Sequence, residues 1–399
     1  MPIRATKRGT ERTRLERDCD VLICGASFAG LAVARELAGT GAHVLVVDRY
    51  EIGERQTSAC GIPTGWLQAL ELMGSHRQEF GELVIHSPHA TARYQLPWSF
   101  STFDYRELCA LLAQQGSFEF ETAKVEGPPP ANSEAMHVVK TDRGEIRAPL
   151  VVDALGWRRV LGRGAPIQPP DAYLSRGLEV HPHGRGEELE IWIDRRYVPA
   201  GYGWSFPAGD ELRIGVGSFD PRFHVKDPTV ALARDLERDP SGYQGNWIPH
   251  RIREATEGGI FFVGDSAGHC LPLTAEGIRT AFYFGIACGR ELADVVAGRQ
   301  SRAAALARYG AFSAAHRWQY EWMLRVQRLI PRVPPRVLGP ALTGMSVKRF
   351  VDWSFSHYLA IAHPDYVSAH GDRARAGAHL AASQSPPMPA STASGGSIA

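Results

Sequence analysis

Two stretches of this sequence carry residues whose types and spacing suit the binding of a dinucleotide. Gly25-Ala26-Ser27-Phe28-Ala29-Gly30 follows the run Cys19-Asp20-Val21-Leu22-Ile23-Cys24. The first glycine permits a tight turn and the last lets a helix approach a strand, while free N–H groups at the helix start favour a diphosphate. Ser27 departs from GxGxxG and sets a Cβ where the backbone must approach that anion. Asp48 stands 23 positions after Gly25, with Arg49 beside it, at the end of a second apolar run. A carboxylate there can accept ribose hydroxyls. An ordinary βαβ turn has similar glycines, so the signal lies in the order strand, helix, strand, acid.

Other residues could supply chemistry. Tyr202, Trp204 and Phe206 stand at alternate positions, so an extended backbone turns all three rings to one side, as a wall for an apolar ligand or as packing between sheet and helix. The six cysteines, at 19, 24, 60, 109, 270 and 288, form no CxxC pair. Cys60 could donate a proton, or be one more buried thiol. The histidines show no ligand spacing, so no metal site is expected.

The elements that must position these residues read as follows. Val21–Cys24, the following helix and His43–Val47 open a βαβ unit, whose parallel sheet must be covered on both faces. Residues 50–100 read as irregular, with one helical piece near Trp66–Met73. Phe103–Gln114 reads as a helix, Phe118–Lys140 as short strands around Gly127-Pro128-Pro129-Pro130, and Ile146–Ala154 as a buried strand. The block 170–255 alternates with period two, which predicts an antiparallel sheet. Gly259–Gly264 returns to a buried strand. Helices are expected from about Glu276 to Val296 and from Arg302 to about Ile330, with one or two more in 336–365. Residues 1–18 and those beyond about Ser368 read as tails without a core.

Composition bounds the function. The chain has 399 residues, 44% hydrophobic and 22% charged, with a net charge of +1. That balance argues against a nucleic-acid binder working by bulk charge. Few cysteines, no signal peptide and no apolar span of membrane length predict a cytoplasmic protein that could still touch a membrane surface.

The later motifs carry a resemblance. Gly264-Asp265-Ser266-Ala267-Gly268-His269, then Pro272 and Glu276-Gly277-Ile278, resembles the glycine–aspartate segment of flavin-dependent hydroxylases and related enzymes. There the aspartate holds the ribityl chain of FAD and the next helix points at the flavin. Val152-Asp153-Ala154-Leu155-Gly156 resembles that superfamily's strand beside the cofactor, and Arg106 its FAD-contacting arginine. Tyr202-Gly203-Trp204-Ser205-Phe206-Pro207 resembles the YxWxFP motif of the geranylgeranyl reductase family. Ser58-Ala59-Cys60-Gly61 resembles the cysteine–glycine segment of its archaeal members, although Thr57-Ser58-Ala59 lacks the family's basic residue. Flavin-dependent halogenases carry a related WxWxIP motif, but no lysine lies between Tyr50 and Gln115, where a halogenase would be expected to place its catalytic one.

The resemblance implies an α/β plus α+β fold of the para-hydroxybenzoate-hydroxylase-like kind. A Rossmann-like FAD-binding domain (19–165 and 256–300) would carry an inserted antiparallel-sheet substrate domain (166–255, sharing strands from 80–100). A helical region (301–367) would close the pocket. It implies FAD as cofactor, held by Gly25, Ser27, Phe28, Ala29, Gly30, Asp48, Arg49, Arg106, Gly156, Gly264, Asp265, Pro272, Gly277 and Ile278. Cys60, Tyr202, Trp204 and Phe206 would act at the substrate. The implied activity is reduction of C=C bonds in a prenyl or other apolar substrate, with electrons from NAD(P)H or a reduced protein carrier. The competing activity is oxygenation or halogenation of a small aromatic or carrier-bound molecule.

Overall fold

The structure is a computed structural model that describes residues 13–56, 58–127, 136–163 and 174–368. Val21–Cys24 and Val44–Asp48, apolar on both faces, pair in parallel. Leu150–Asp153 and then Ile260–Phe262 extend the sheet on one side, and Glu119–Thr122 on the other. Thr256–Glu257 adds an antiparallel edge, giving six strands. Helix Phe28–Glu36 covers this sheet, and helix Ile278–Val296 packs on that helix. Their closeness demands glycine. A Cβ on Gly285 would stand 2.7 Å from the Ala29 oxygen, and one on Gly289 2.9 Å from the Val33 oxygen.

Residues 50–100 are not irregular. His76–Ser87 and Ala90–Phe103, 12 and 14 residues long, form an antiparallel hairpin. Shifts of register at 76/78 and 80/82 break the alternation, which hides the period-two signal. The hairpin belongs to an eight-stranded sheet ordered Gln244–Pro249, Leu174–Val180, Leu212–Ser218, Gly201–Pro207, Leu189–Trp192, His76–Ser87, Ala90–Phe103, Gly61–Pro63. The sheet curls on itself: Thr102 Oγ1 donates to the Pro207 oxygen at 2.7 Å, although three strand spacings separate their strands. Lys226–Asp235, a helix the sequence reading missed, covers one face over Val180, Ile214 and Val216.

The ends also differ from expectation. Leu15 is buried, and Arg17–Asp18 pairs in parallel with Gly144–Ala148, so order begins before residue 19. Residues 1–12, the proline turn 128–130 and the tail from 369 lie outside the described residues. The single helix expected over 302–330 is two, Arg302–Ala314 and Arg317–Leu329, followed by Pro335–Met345 and Lys348–Ala360. Fully buried Arg279 ties the last of these to helix Ile278–Val296. It donates to the carbonyls of Tyr358, Leu359 and Ala362 at 3.0, 3.1 and 3.2 Å and pairs with Glu276 at 2.7 Å. Arg290 holds the carbonyls of Tyr366 and Val367 in the same way.

The helix contact gives a test of the packing. Gly285→Ala is expected to cost about 1–3 kcal/mol of unfolding free energy, because the methyl group meets backbone that cannot move aside. Gly344→Ala, where a Cβ meets nothing within 4 Å, is expected to be neutral or stabilising by up to about 1 kcal/mol. Urea unfolding of the two variants checks both.

Candidate active site

The glycine turn is built against the end of the Leu150–Asp153 strand. Gly25 has φ +113°, and a Cβ there would lie 2.3 Å from the Ala154 oxygen. The N–H groups of Ser27, Phe28, Ala29 and Gly30 find no hydrogen-bond partner among the described residues, and Ser27 makes no side-chain cap. Instead the Ser27 hydroxyl meets the Tyr105 hydroxyl at 3.1 Å, a use for the side chain that replaces the second glycine. Phe28 is a core residue, edge-on to Phe103, Tyr105 and Phe282. Asp48 accepts from the N–H groups of Ala26 (2.9 Å) and Tyr50 (3.0 Å), and burial raises its pKa against those bonds. Arg49 is exposed, over the Tyr50 ring. Arg106 is exposed, and its guanidinium has no partner among the described residues.

A second wall comes from Val263–Ile278. Asp153, fully buried, holds Ser266 Oγ at 2.7 Å and the N–H groups of Leu155 and Leu161. This fixes the Gly156 loop beside Gly264-Asp265. A Cβ on Gly156 would meet nothing within 4 Å, whereas one on Gly264 would stand 2.9 Å from the Ala29 methyl. The Asp265 carboxylate makes no hydrogen bond with the described residues, and burial lifts its pKa to about 6 against the pull of Arg253. Pro272 is buried. The N–H groups from Gly277 to Thr280 open helix Ile278–Val296 without backbone partners. Orphan donors at two helix starts, an exposed guanidinium and a carboxylate lacking a donor fit a dinucleotide flavin: diphosphate on the donors, sugar hydroxyls on the acids.

Tyr202, Trp204 and Phe206 are half-buried, and Gly203 and Ser205 between them are buried. The register pairs Tyr202 with Gly217, Trp204 with Gly215 and Phe206 with Arg213, so these residues share one face. A Cβ on Gly215 would lie 2.2 Å from the Trp204 ring. The indole therefore rests on that glycine, and its N–H donates to Glu179 at 3.2 Å. The Tyr202 hydroxyl donates to the Thr274 oxygen at 2.6 Å, and Phe206 meets Phe100. On the same face Arg213 donates to the carbonyls of Ala59 (2.9 Å), Cys60 (3.4 Å) and Phe103 (3.0 Å). Cys60 is fully buried, with its thiol 3.2 Å from the Ser58 oxygen. Burial drives its pKa well above the usual thiol value, and Arg213 pulls the other way. Cys60 and Ala275, both non-glycine, have φ of 54° and 53°, costly backbone in the two segments that the aromatic strand and its neighbour grip.

The structure thus brings the aromatic strand against the segment before Gly277, and its neighbour, through Arg213, against the Cys60 segment. Sequence reasoning missed Glu179, Glu211, Arg213, Gln244 and Tyr358, and saw in His181 only a histidine without ligand spacing. Arg213 was the visible signal: a cation that alternates with Leu212, Ile214 and Val216 and so stands on the face opposite theirs.

Comparisons with known proteins agree with an FAD-binding fold. The FAD binding domain family matches residues 18–106. The digeranylgeranylglycerophospholipid reductase of Methanothrix thermoacetophila is 26% identical over 307 residues, 70% of this chain and 78% of that protein. A geranylgeranyl bacteriochlorophyll reductase-like protein from Thermoplasma acidophilum has the same fold, with a TM-score of 0.75 at 17% identity over 90% of this chain and 100% of that one. A probable FAD-dependent monooxygenase from Pseudomonas aeruginosa gives 0.59 at 18% identity, over 85% of this chain and 100% of its own. Among the described residues no helix is long and apolar enough to cross a membrane.

Asp265 gives a test at the cofactor. Asp265→Asn is expected to weaken FAD binding about tenfold, near 1.4 kcal/mol, read by quenching of flavin fluorescence on titrating apoprotein. Its raised pKa also fixes a sign. The unfolded chain ionises this group near 3.8 and the folded apoprotein near 6. The stability it contributes is therefore whole below about pH 4 and lost as pH rises through about 6. The asparagine variant should lack that decline in apoprotein melting temperature.

Proposed function

We propose that this FAD-dependent oxidoreductase saturates carbon–carbon double bonds in a prenyl or other apolar chain. The observation that carries the reading is the shared face of Tyr202, Trp204 and Phe206, turned to the same side as the arginine that holds the Cys60 segment. Three rings in a row suit an extended hydrocarbon better than a polar substrate.

Reduction adds a hydride to one alkene carbon and a proton to the other, and bound FAD, once reduced, supplies the hydride. The N–H groups of Ser27 to Gly30, with Arg106, would hold its diphosphate, and Asp48 beside Arg49 its adenosine ribose. Asp265 would take the ribityl hydroxyls, while Gly156, Gly264 and Pro272 shape the crevice. The helix start at Gly277 and Ile278 would face the ring and favour negative charge there. An isolated alkene is a poor hydride acceptor, so placing it accounts for much of the rate. The aromatic wall places the chain and excludes water. Cys60, kept neutral by burial, holds a proton that it can give to the second carbon. The thiolate left behind would be stabilised by the adjacent Arg213 charge and would regain its proton from solvent. The two electrons come from NAD(P)H or a reduced protein carrier.

The same reading says where the chain comes from. Trp318, Trp322 and Leu329, each more than half exposed, fall within about 40° of one another around their helix. Val337, Val347, Phe350 and Trp353 are exposed on the segments that follow. Between Trp322 and Val351 the chain carries six Lys or Arg and no acid. Exposed apolar rings among cations suit the surface of an anionic bilayer.

Two experiments test the proposal. Anaerobic reoxidation of the reduced enzyme with geranylgeraniol is expected to give a product two mass units heavier, with Cys60→Ala binding FAD normally but reoxidising at least tenfold more slowly. A product that forms only with oxygen present would replace this reading with the monooxygenase or halogenase one. For the surface, the protein should sediment with phosphatidylglycerol vesicles and stay free of phosphatidylcholine vesicles. The triple change Trp318→Ser, Trp322→Ser, Trp353→Ser should abolish that sedimentation while FAD content holds.

A further inference from the structure

Beside the aromatic rings, on their face of the sheet, lies a chain of charges of which the proposed chemistry uses only Arg213. Glu179 sits in one cross-strand row with Gln244 on one side and Gly215 and Trp204 on the other. Its carboxylate, almost wholly buried, accepts from the Trp204 indole at 3.2 Å, from Gln244 Nε2 and from His181 Nε2 at 2.9 Å. His181 Nδ1 lies 3.4 Å from Glu211, which takes Arg213 Nε at 3.0 Å. Arg213 then holds the carbonyls of Ala59, Cys60 and Phe103, while Gln244 Nε2 also donates to the Ser58 oxygen at 3.1 Å.

Counted with the imidazole protonated, the four groups carry two positive and two negative charges. The titratable groups facing His181 are Glu179 and Glu211, with Arg213 beyond the latter. Burial works against the imidazolium, and the two carboxylates outweigh it, holding its pKa at about 9. Burial likewise opposes the Glu211 charge, and His181 with Arg213 pulls its pKa down to about 2. A buried charge chain of this kind is poor support for net stability, because desolvation consumes most of the attraction. What it does supply is direction. One end accepts from the Trp204 indole, and the donors of Gln244 and Arg213 reach the backbone of residues 58–60 and Phe103.

We infer that Glu179, His181, Glu211 and Arg213, with Gln244, are positioning residues, which set the depth of the Cys60 thiol through the grip of Gln244 on the Ser58 carbonyl and of Arg213 on those of Ala59 and Cys60. No member needs to touch the substrate. The strained left-handed φ at Cys60 is what such a grip would hold in place. This inference rests on the proposed function only in giving the thiol a partner in the reaction. The grip itself is read without any substrate.

The test is alkylation of the FAD-loaded enzyme with iodoacetamide at pH 7.5, followed by peptide mass analysis of all six cysteines. Glu179→Gln withdraws the charge that orients Gln244 and His181, and Arg213→Lys cannot span three carbonyls. Each is expected to label Cys60 at least tenfold faster than the unaltered protein, with Cys24, Cys109 and Cys288 unchanged. If the lysine variant does not fold, Glu179→Gln carries the test alone. A second reading separates positioning from bulk support: restoring the charge with Glu179→Asp should return Cys60 at least halfway to the slow rate. Cys60 labelling unchanged in Glu179→Gln, or all cysteines rising together, would overturn the inference. Neither outcome depends on whether the enzyme reduces an alkene.

Discussion

The guanidinium of Arg213 leaves its own strand and donates to the backbone of three residues near the far edge of the same sheet. That reach is possible only because the eight-stranded sheet curls, and it makes one concave surface out of segments far apart in the chain. Residues 58–103 come to it from before the Leu150–Asp153 strand, and 174–249 from after it. Without this contact the Cys60 segment would be a loop beside a sheet. With it, the thiol, the aromatic rings and the crevice beneath Asp265 are held in one frame. The opposite side is closed by Tyr202 on Thr274, and by Arg279 holding the last helix to the one that starts at Gly277.

Glycine decides how closely these parts meet. At Gly25 and Gly30 it lets the first helix sit on the central strands, and at Gly285 and Gly289 it lets the second helix sit on the first. At Gly215 it makes room for an indole. The same residue type serves a turn, a helix contact and a bed for a ring, and only neighbouring atoms tell these roles apart. Ser27 is the instructive exception, since its hydroxyl contacts Tyr105 where a second glycine would contact nothing.

The parallel sheet and its cofactor turn were legible because their signals are local and repeated: continuous apolar runs, a glycine turn, an acid at the end of the second strand. The aromatic face could be read from three alternate positions. The hairpin from His76 to Phe103 could not, since its bulges break the alternation that marks a strand. Helix Lys226–Asp235 was hidden by its polar face, and only three of its residues are buried. The charge chain was illegible for another reason. Glu179, Glu211 and Gln244 look like surface residues in the sequence, and only the register of four strands reveals that they meet. FAD as the cofactor and the oxidoreductase class came from motif order, and the comparisons agree with both.

The strand order of the six-stranded sheet has a consequence for biosynthesis. Its central strand, Val21–Cys24, needs neighbours at 44–48 and 150–153, and the latter needs 260–262. While the chain is being made, one flank of an apolar strand stays bare for more than a hundred residues of elongation. Long-range parallel pairing of this kind is slow and exposes sticky edges. The nascent polypeptide should therefore lean on chaperones until its third quarter has emerged, and slower translation or lower growth temperature should raise the yield of folded enzyme more than added flavin does.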